Sequence, residues 1–286
     1  MVDSGRIADI AQQHPDDIRA FEQRAIAAAT RPLAQAIADA QRAAGDRWIR
    51  ETAGAQIPAR LQEFIDYVRG LLKRAFAGHG KQARRATETA AYNGAQLGAQ
   101  QAASIARAMQ QTVPPITVEP GPEAQQAAEL LPAAIDQDHR HALALLTTAG
   151  LTAMGLAGLN SAFTRARRAV GRIATGMAVA ITSAVSHGAS LIARALGSGV
   201  RLLWVAEADA CDACLAYAGL HIKEGGKFQG GLSLNPRRTV FITAITGPPR
   251  HPHCRCALIP WSPNWPIDGT PLPTLLRQRA HANRRP

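Results

Sequence analysis

Apolar positions recur at helical intervals through the first third of the chain. Ile18, Phe21, Ala25, Ala28, Leu33, Ile37, Ala40, Ala44 and Trp48 follow at three-, four- and five-residue steps, which keeps one face of a helix apolar. Pro15 followed by Asp16 and Asp17 reads as the start of that helix, because proline fits a first turn and acids suit the positive end of the dipole. Pro32 predicts a kink. A second helix opens at Pro58, where Leu61, Phe64, Ile65, Val68, Leu71, Leu72 and Phe76 form a continuous stripe. A third covers about Lys81 to Gln111, rich in Ala and Gln, with small residues that suit close packing against another helix of this chain or of a second subunit. The stripes read first as core faces; a helical arm that assembles with other chains is the alternative.

Val113 to Gly121 breaks the helical pattern with three prolines and a glycine and reads as a linker. A short acidic helix is predicted from Glu123 to Ile135. Ala142 to Leu159 then runs 18 residues without a charge, and a second weakly polar stretch, Ile173 to Ile192, follows the Arg-rich connection Thr164 to Arg168. Buried helices packed through small residues account for this composition. A membrane hairpin with a basic loop is the alternative, since about 18 apolar residues reach the lower edge of a bilayer span. Three Gly and three Thr in the first stretch and His187 in the second weaken it.

The period changes to that of strands after Gly199. Arg201 to Ala206 and Gly219 to Ile222 read as strands, Gly225 to Gly231 as a glycine-rich loop, and Thr239 to Ile245 as a β-branched strand ended by Gly247-Pro248-Pro249. So small a sheet needs a metal or the preceding helices to hold it, with Trp204 and Trp261 as candidate packing partners. Beyond Ser262 the chain is Pro-rich, then basic, and a mobile tail is expected. The predicted class is α+β, mostly α-helical. It comprises an N-terminal helical region (1–112), a linker with a short helix (113–138), a domain at 139–262 and a basic Pro-rich tail (263–286). The domain divides into helices at 139–200 and a small zinc-stapled β unit at 201–262.

Charge locates the excess rather than the function. The net charge is +11, and residues 1–110 are close to balanced with 15 basic against 11 acidic side chains. Residues 141–200 carry five Arg and no acid, so the excess belongs to the second half. Such a surface favours nucleic acid, an anionic lipid surface or an acidic protein. Arg165, Arg167, Arg168 and Arg172 are the candidate contacts to DNA phosphate or to an acidic partner. Aromatic residues do not interleave with basic ones, which argues against base reading. The first 30 residues carry charges throughout, with no apolar secretory core. No H-E-x-x-H, G-x-S-x-G or phosphate-loop pattern occurs, and no pair of carboxylates has acid/base spacing, so the chain reads as non-enzymatic.

The chemistry is concentrated in the cysteines. All four fall in two tight pairs, Cys211-Asp212-Ala213-Cys214 and His251-Pro252-His253-Cys254-Arg255-Cys256. Thiolates at i and i+3 of a turn can face one ion, and Cys-x-Cys converges on the same ion with a local bend. The set suits structural zinc, with Cys211, Cys214, Cys254 and Cys256 as ligands and His251 able to replace one of them. The 39 residues between the pairs exceed the roughly 15 to 20 of a zinc ribbon. Two disulfides or free redox thiols are the other reading; disulfides need an oxidising compartment, and a Cys254–Cys256 bridge would be strained.

The run from Val200 to Cys214 ends a strand in Trp204, followed by Glu207 and the Cys-x-x-Cys. With Gly219 and the closing Pro248-Pro249-Arg250-His251-Pro252-His253-Cys254-Arg255-Cys256, it resembles the C-terminal domain of the phage Mu F-like head morphogenesis family over about residues 170–261. The family's Arg-Thr-Glu triplet on the preceding helix is replaced here by Ile181-Thr182-Ser183, and the insert after Gly219 is long. The resemblance implies a minor capsid protein of a tailed phage or prophage, made in the host cytoplasm and held at the portal vertex or head interior. Its partners would be portal and capsid proteins and, non-specifically, packaged DNA. A zinc-ribbon nucleic-acid-binding protein and a membrane-inserting hairpin protein are the alternatives.

Overall fold

Asp3, not Pro15, opens the first helix. Its carboxylate accepts from the Gly5 N–H at 3.2 Å and the Arg6 N–H at 3.0 Å, satisfying two of the N–H groups that a helix start leaves unpaired. Helix α1 therefore runs from Ser4 to Thr52, with Pro15 and Pro32 both inside helical backbone. The computed structural model describes residues 2–52, 58–235, 237 and 241–283.

Most of the chain is helical. α2 (Pro58–Phe76) and α3 (His79–Ala108) follow the predicted stripes. α4 (Pro122–Ala144) continues past Pro132 and is longer than the short helix predicted there. The uncharged stretch 142–159 is not one helix: it is divided among the end of α4, α5 (Thr148–Met154) and the start of α6. The Thr147 hydroxyl caps α5 by accepting from the Gly150 N–H at 3.0 Å. α6 (Leu156–Ala195) carries the Arg-rich segment and the second apolar stretch on one helix, without a connecting loop. By length and composition it could cross a membrane, but 67% of its apolar window is buried.

The helices contribute to two compact units assembled from separate stretches of chain. The second unit takes Ala25–Thr87 and Ala128–Gly176. Its core holds Leu33, Ile37, Ile65, Leu72 and Phe163, with Trp48 edge-on to Phe64 at 5.2 Å between ring centres. His139 stacks on Phe76 in the same unit.

The first unit takes Met1–Arg24, Glu88–Ala127 and Met177–Pro286. The Pro-rich stretch at 113–121 lies within it: Val118 is buried, and a Cβ added at Gly121 would meet the His187 ring at 2.7 Å. α3 and α6 approach closely here. A Cβ on Gly98 would lie 2.0 Å from the Val185 carbonyl oxygen, and one on Gly188 would lie 2.1 Å from that of Ala95.

The β unit in the first unit is a three-stranded antiparallel sheet in the order β3 (His221–Lys223), β2 (Arg201–Val205), β4 (Ala257–Trp261). β4, which the sequence did not predict, pairs along the whole of β2 from Arg201↔Trp261 to Val205↔Ala257. The predicted strand at 239–245 falls partly outside the described residues; its described part makes a single bridge, Ile245 with Phe228. Trp204 packs on Tyr217 and Phe228, while Trp261 stacks on His221, so the two tryptophans are not partners. Where a mobile tail is expected, the described residues form regular structure. β5 (Ile267–Asp268) pairs in parallel with β1 (Val2–Asp3), and α8 (Leu272–Ala282) buries Leu276 and Ala280. Arg279 reaches Asp9 at 2.6 Å.

His14 in α1 is 3% exposed, and its Nδ1 has no hydrogen-bond partner among the described residues. Burial penalises the imidazolium and lowers its pKa from 6.5 to about 4. The unfolded chain therefore binds the proton first as pH falls. This contribution to stability is complete above pH 6.5 and is lost between pH 6.5 and about 4. The expected loss is at most about 3 kcal/mol, from 1.36 kcal/mol per pKa unit. A His14→Leu variant should lose less melting temperature than the wild type between pH 7 and pH 4.5. Parallel losses would contradict the assignment.

Candidate metal centre

The antiparallel pairing of β2 with β4 explains how two cysteine pairs 39 residues apart come together. The chain leaves β2 at Val205 toward Cys211 and enters β4 at Ala257 directly after Cys256, and these two residues face each other across the ladder. Both pairs therefore emerge at the same end of the sheet, whatever the length of the insert. Cys211 sits at the N-cap of the short helix α7 (Asp212–Leu215), and Cys214 lies one turn on, so their sulfurs face the same side.

His251 Nε2 lies 3.3 Å from the sulfurs of both Cys211 and Cys214, and the Cys214 sulfur lies 3.6 Å from that of Cys254. Two triads result, Cys211–Cys214–His251 and Cys214–Cys254–Cys256, each with its ligand atoms within 4.8 Å of one another. Cys214 belongs to both. These residues could hold a metal ion. His251 is a full member of the first triad and not only a substitute for a cysteine. All four cysteines are unbridged, so the alternative reading of two disulfides is not met.

The surroundings prepare the donors. His251 Nδ1 donates to the Pro252 carbonyl at 2.8 Å, which aims Nε2 at the sulfurs. Backbone N–H groups of Cys214, Arg250 and Glu207 point at the sulfurs of Cys211, Cys254 and Cys256 respectively. The Cys214 thiol, hydrogen-bonded to Cys211, brings the Cys211 pKa down to about 4 against the opposing effect of burial, with His251 assisting. The same Cys211 thiolate raises His251 to about 9. Hydrogen bonds with Cys211, Cys254 and Cys256 push Cys214 far up, while its bond to Cys254 holds that thiol well below the ordinary range. Buried sulfurs this close cannot all ionise unless a cation joins them.

A buried ion network ties this corner to the first part of α1. Arg255, between the two closing cysteines, grips Glu22 with two bonds, Nε to Oε2 at 3.2 Å and Nη2 to Oε1 at 3.0 Å. Its backbone N–H donates to Glu207 at 3.2 Å. Glu207 also accepts from Arg19 at 3.0 Å, and Arg19 bonds Asp209 as well. Glu22 is 1% exposed at its side chain, so its charge depends on Arg255, with His253 Nδ1 also 3.3 Å from Oε1. Burial raises the Glu207 pKa. Arg250 donates to the Thr243 carbonyl at 2.5 Å and to that of Phe241, fastening the insert to the closing loop. Sequence reasoning missed Arg19, Glu22 and these roles of Arg250 and Arg255. Local spacing carries no signal for a partner more than 180 residues away.

The four candidate arginines lie in the second unit and are not equivalent. Arg165 and Arg172 converge on Asp138 at 3.4 and 3.2 Å, and Arg167 bonds Gln41. Arg168 lines an open cleft with Arg165. No protein-family model, curated protein or solved structure matches this chain.

Proposed function

We propose that this chain is a non-enzymatic head-assembly protein of a tailed phage or prophage, a minor capsid component whose C-terminal β unit is cross-linked by one structural zinc ion. The observation that carries the reading is the meeting of Cys211-x-x-Cys214 and His251-Pro-His-Cys254-Arg-Cys256 at one end of the β2–β4 ladder. A tetrahedral zinc with ligands at about 2.3 Å for sulfur and about 2.05 Å for nitrogen has edges of about 3.8 Å between sulfurs and about 3.6 Å between sulfur and nitrogen. The separations here are 3.6 and 3.3 Å. Soft donors and the absence of a carboxylate in either triad favour zinc over calcium or magnesium. When bound, the ion would supply a cross-link that a sheet of this size lacks; the protein's own groups orient the donors and bury Cys214, Cys254 and Cys256. The network of Arg255, Glu22, Glu207 and Arg19 then joins the cross-linked corner to α1. Portal and capsid proteins are the partners this reading expects, at the portal vertex or in the head interior.

The test has two parts. Protein purified without added zinc should contain one zinc per chain and expose its four thiols only on denaturation. Co-expressed with the head and portal proteins encoded beside it, the chain should sediment with proheads. Absence of metal would remove the staple, and absence from proheads would remove the assembly role.

A further inference from the structure

The second unit carries a cleft of about 510 Å³ between the end of α4 and the first turns of α6. His141, Ser161, Thr164, Arg165 and Arg168 supply its polar lining, with Leu145 beside them and no Asp or Glu. On α6, Ser161, Thr164, Arg165 and Arg168 fall at i, i+3, i+4 and i+7 and therefore share one face. Arg165 donates to His141 Nδ1, which leaves the proton of a neutral His141 on Nε2 as a further donor. Asp138, 1% exposed at its side chain, faces Arg165 and Arg172, and Arg168, which lines the cleft with Arg165, adds a third guanidinium that Asp138 does not pair. Arg168 is exposed and makes no ion pair among the described residues.

We infer that this cleft seats a phosphate group of a nucleic-acid backbone. The charge is positive, the lining offers donors, and the cleft is open to solvent. No Phe, Tyr or Trp lines it to stack a base, and its one ring, His141, is engaged by Arg165, so contact is to phosphate and independent of sequence. Arg165 is the fixed member, held by Asp138 and His141, and Arg168 is the free one that reaches the phosphate. Arg167 and Arg172 are occupied by Gln41 and Asp138 and lie outside the seat.

The test is a fluorescence-anisotropy titration of the full chain with a short labelled DNA duplex over a range of salt. Arg168→Gln should weaken binding about fivefold to tenfold at ~0.1 M salt and make the salt slope shallower by about 0.9, one phosphate contact. Arg168→Lys should keep the slope, because it keeps the charge. Arg140→Gln removes the same charge from a side chain engaged by Asp136 outside the cleft, and should change affinity less than about twofold. Tripolyphosphate should compete with the duplex. Equal losses in Arg168→Gln and Arg140→Gln would overturn the seat, as would binding to anionic phospholipid vesicles without binding to DNA. Arg168 is exposed, so an unchanged melting curve is expected and checks folding. DNA binding decides the seat and prohead sedimentation decides the assembly role, so either can fail without the other.

Discussion

Cys214→Ser should abolish metal binding and unravel the β3–β2–β4 sheet. Cys214 is the one donor shared by both triads and is fully buried, so its loss leaves neither triad complete. A serine hydroxyl is a hard, neutral donor and does not replace a thiolate on zinc. Structural zinc contributes about 10–16 kcal/mol of apparent binding free energy that is available only to the folded chain, comparable with the whole stability of a domain at about 5–15 kcal/mol. The melting temperature of the first unit should fall by at least about 10 °C, using about 2–4 °C per kcal/mol for a chain of this size. Chelation of the wild type should produce the same loss, while the helical signal of the second unit persists. Cys211→Ser, at the exposed rim, should weaken metal binding less. Metal content and melting behaviour unchanged in Cys214→Ser would remove Cys214 from the centre of the site.

Gly98→Ala should be the second costly change, although alanine is the better helix former by about 1 kcal/mol. The new Cβ would stand 2.0 Å from the Val185 carbonyl oxygen and 2.7 Å from its carbon, so α3 and α6 must separate. The contact is backbone against side chain, and no rotamer relieves it. Overpacking of this kind costs typically 1–3 kcal/mol, and more where backbone must move; about 3 kcal/mol net is expected. Gly188→Ala meets Ala95 at 2.1 Å and should behave alike. Gly45→Ala provides the contrast: it is helical, has nothing within 4 Å of an added Cβ, and should gain up to about 1 kcal/mol. Urea unfolding of the variants measures all three, and equal responses at Gly98 and Gly45 would refute the close-approach argument.

The helical character of the chain, the apolar stripe of α2 and the first strand were legible because each depends on a short period or on neighbouring residues. So were the five candidate metal donors, since their chemistry lies in the side chains themselves. Capping and pairing decided what periodicity could not. Asp3 moved the start of α1 upstream of Pro15, and α6 joined two stretches that had been read as separate. Pairing with β2 also made a strand of Ala257–Trp261, which ends in Ile-Pro-Trp and shows no alternation because every residue in it is buried.

The sequence by itself determined which atoms can bind a metal, that the chain is mostly helical, and that the positive charge gathers in its second half. The tertiary structure alone decided that Cys214 stands between two triads, that Arg255 is matched to Glu22 from α1, and that Arg167 and Arg172 are engaged while Arg168 has no ion-pair partner among the described residues. The division has a physical cause. Donor chemistry and periodicity are properties of a few adjacent residues, whereas a buried ion pair or a close helix crossing exists only once distant segments share a register.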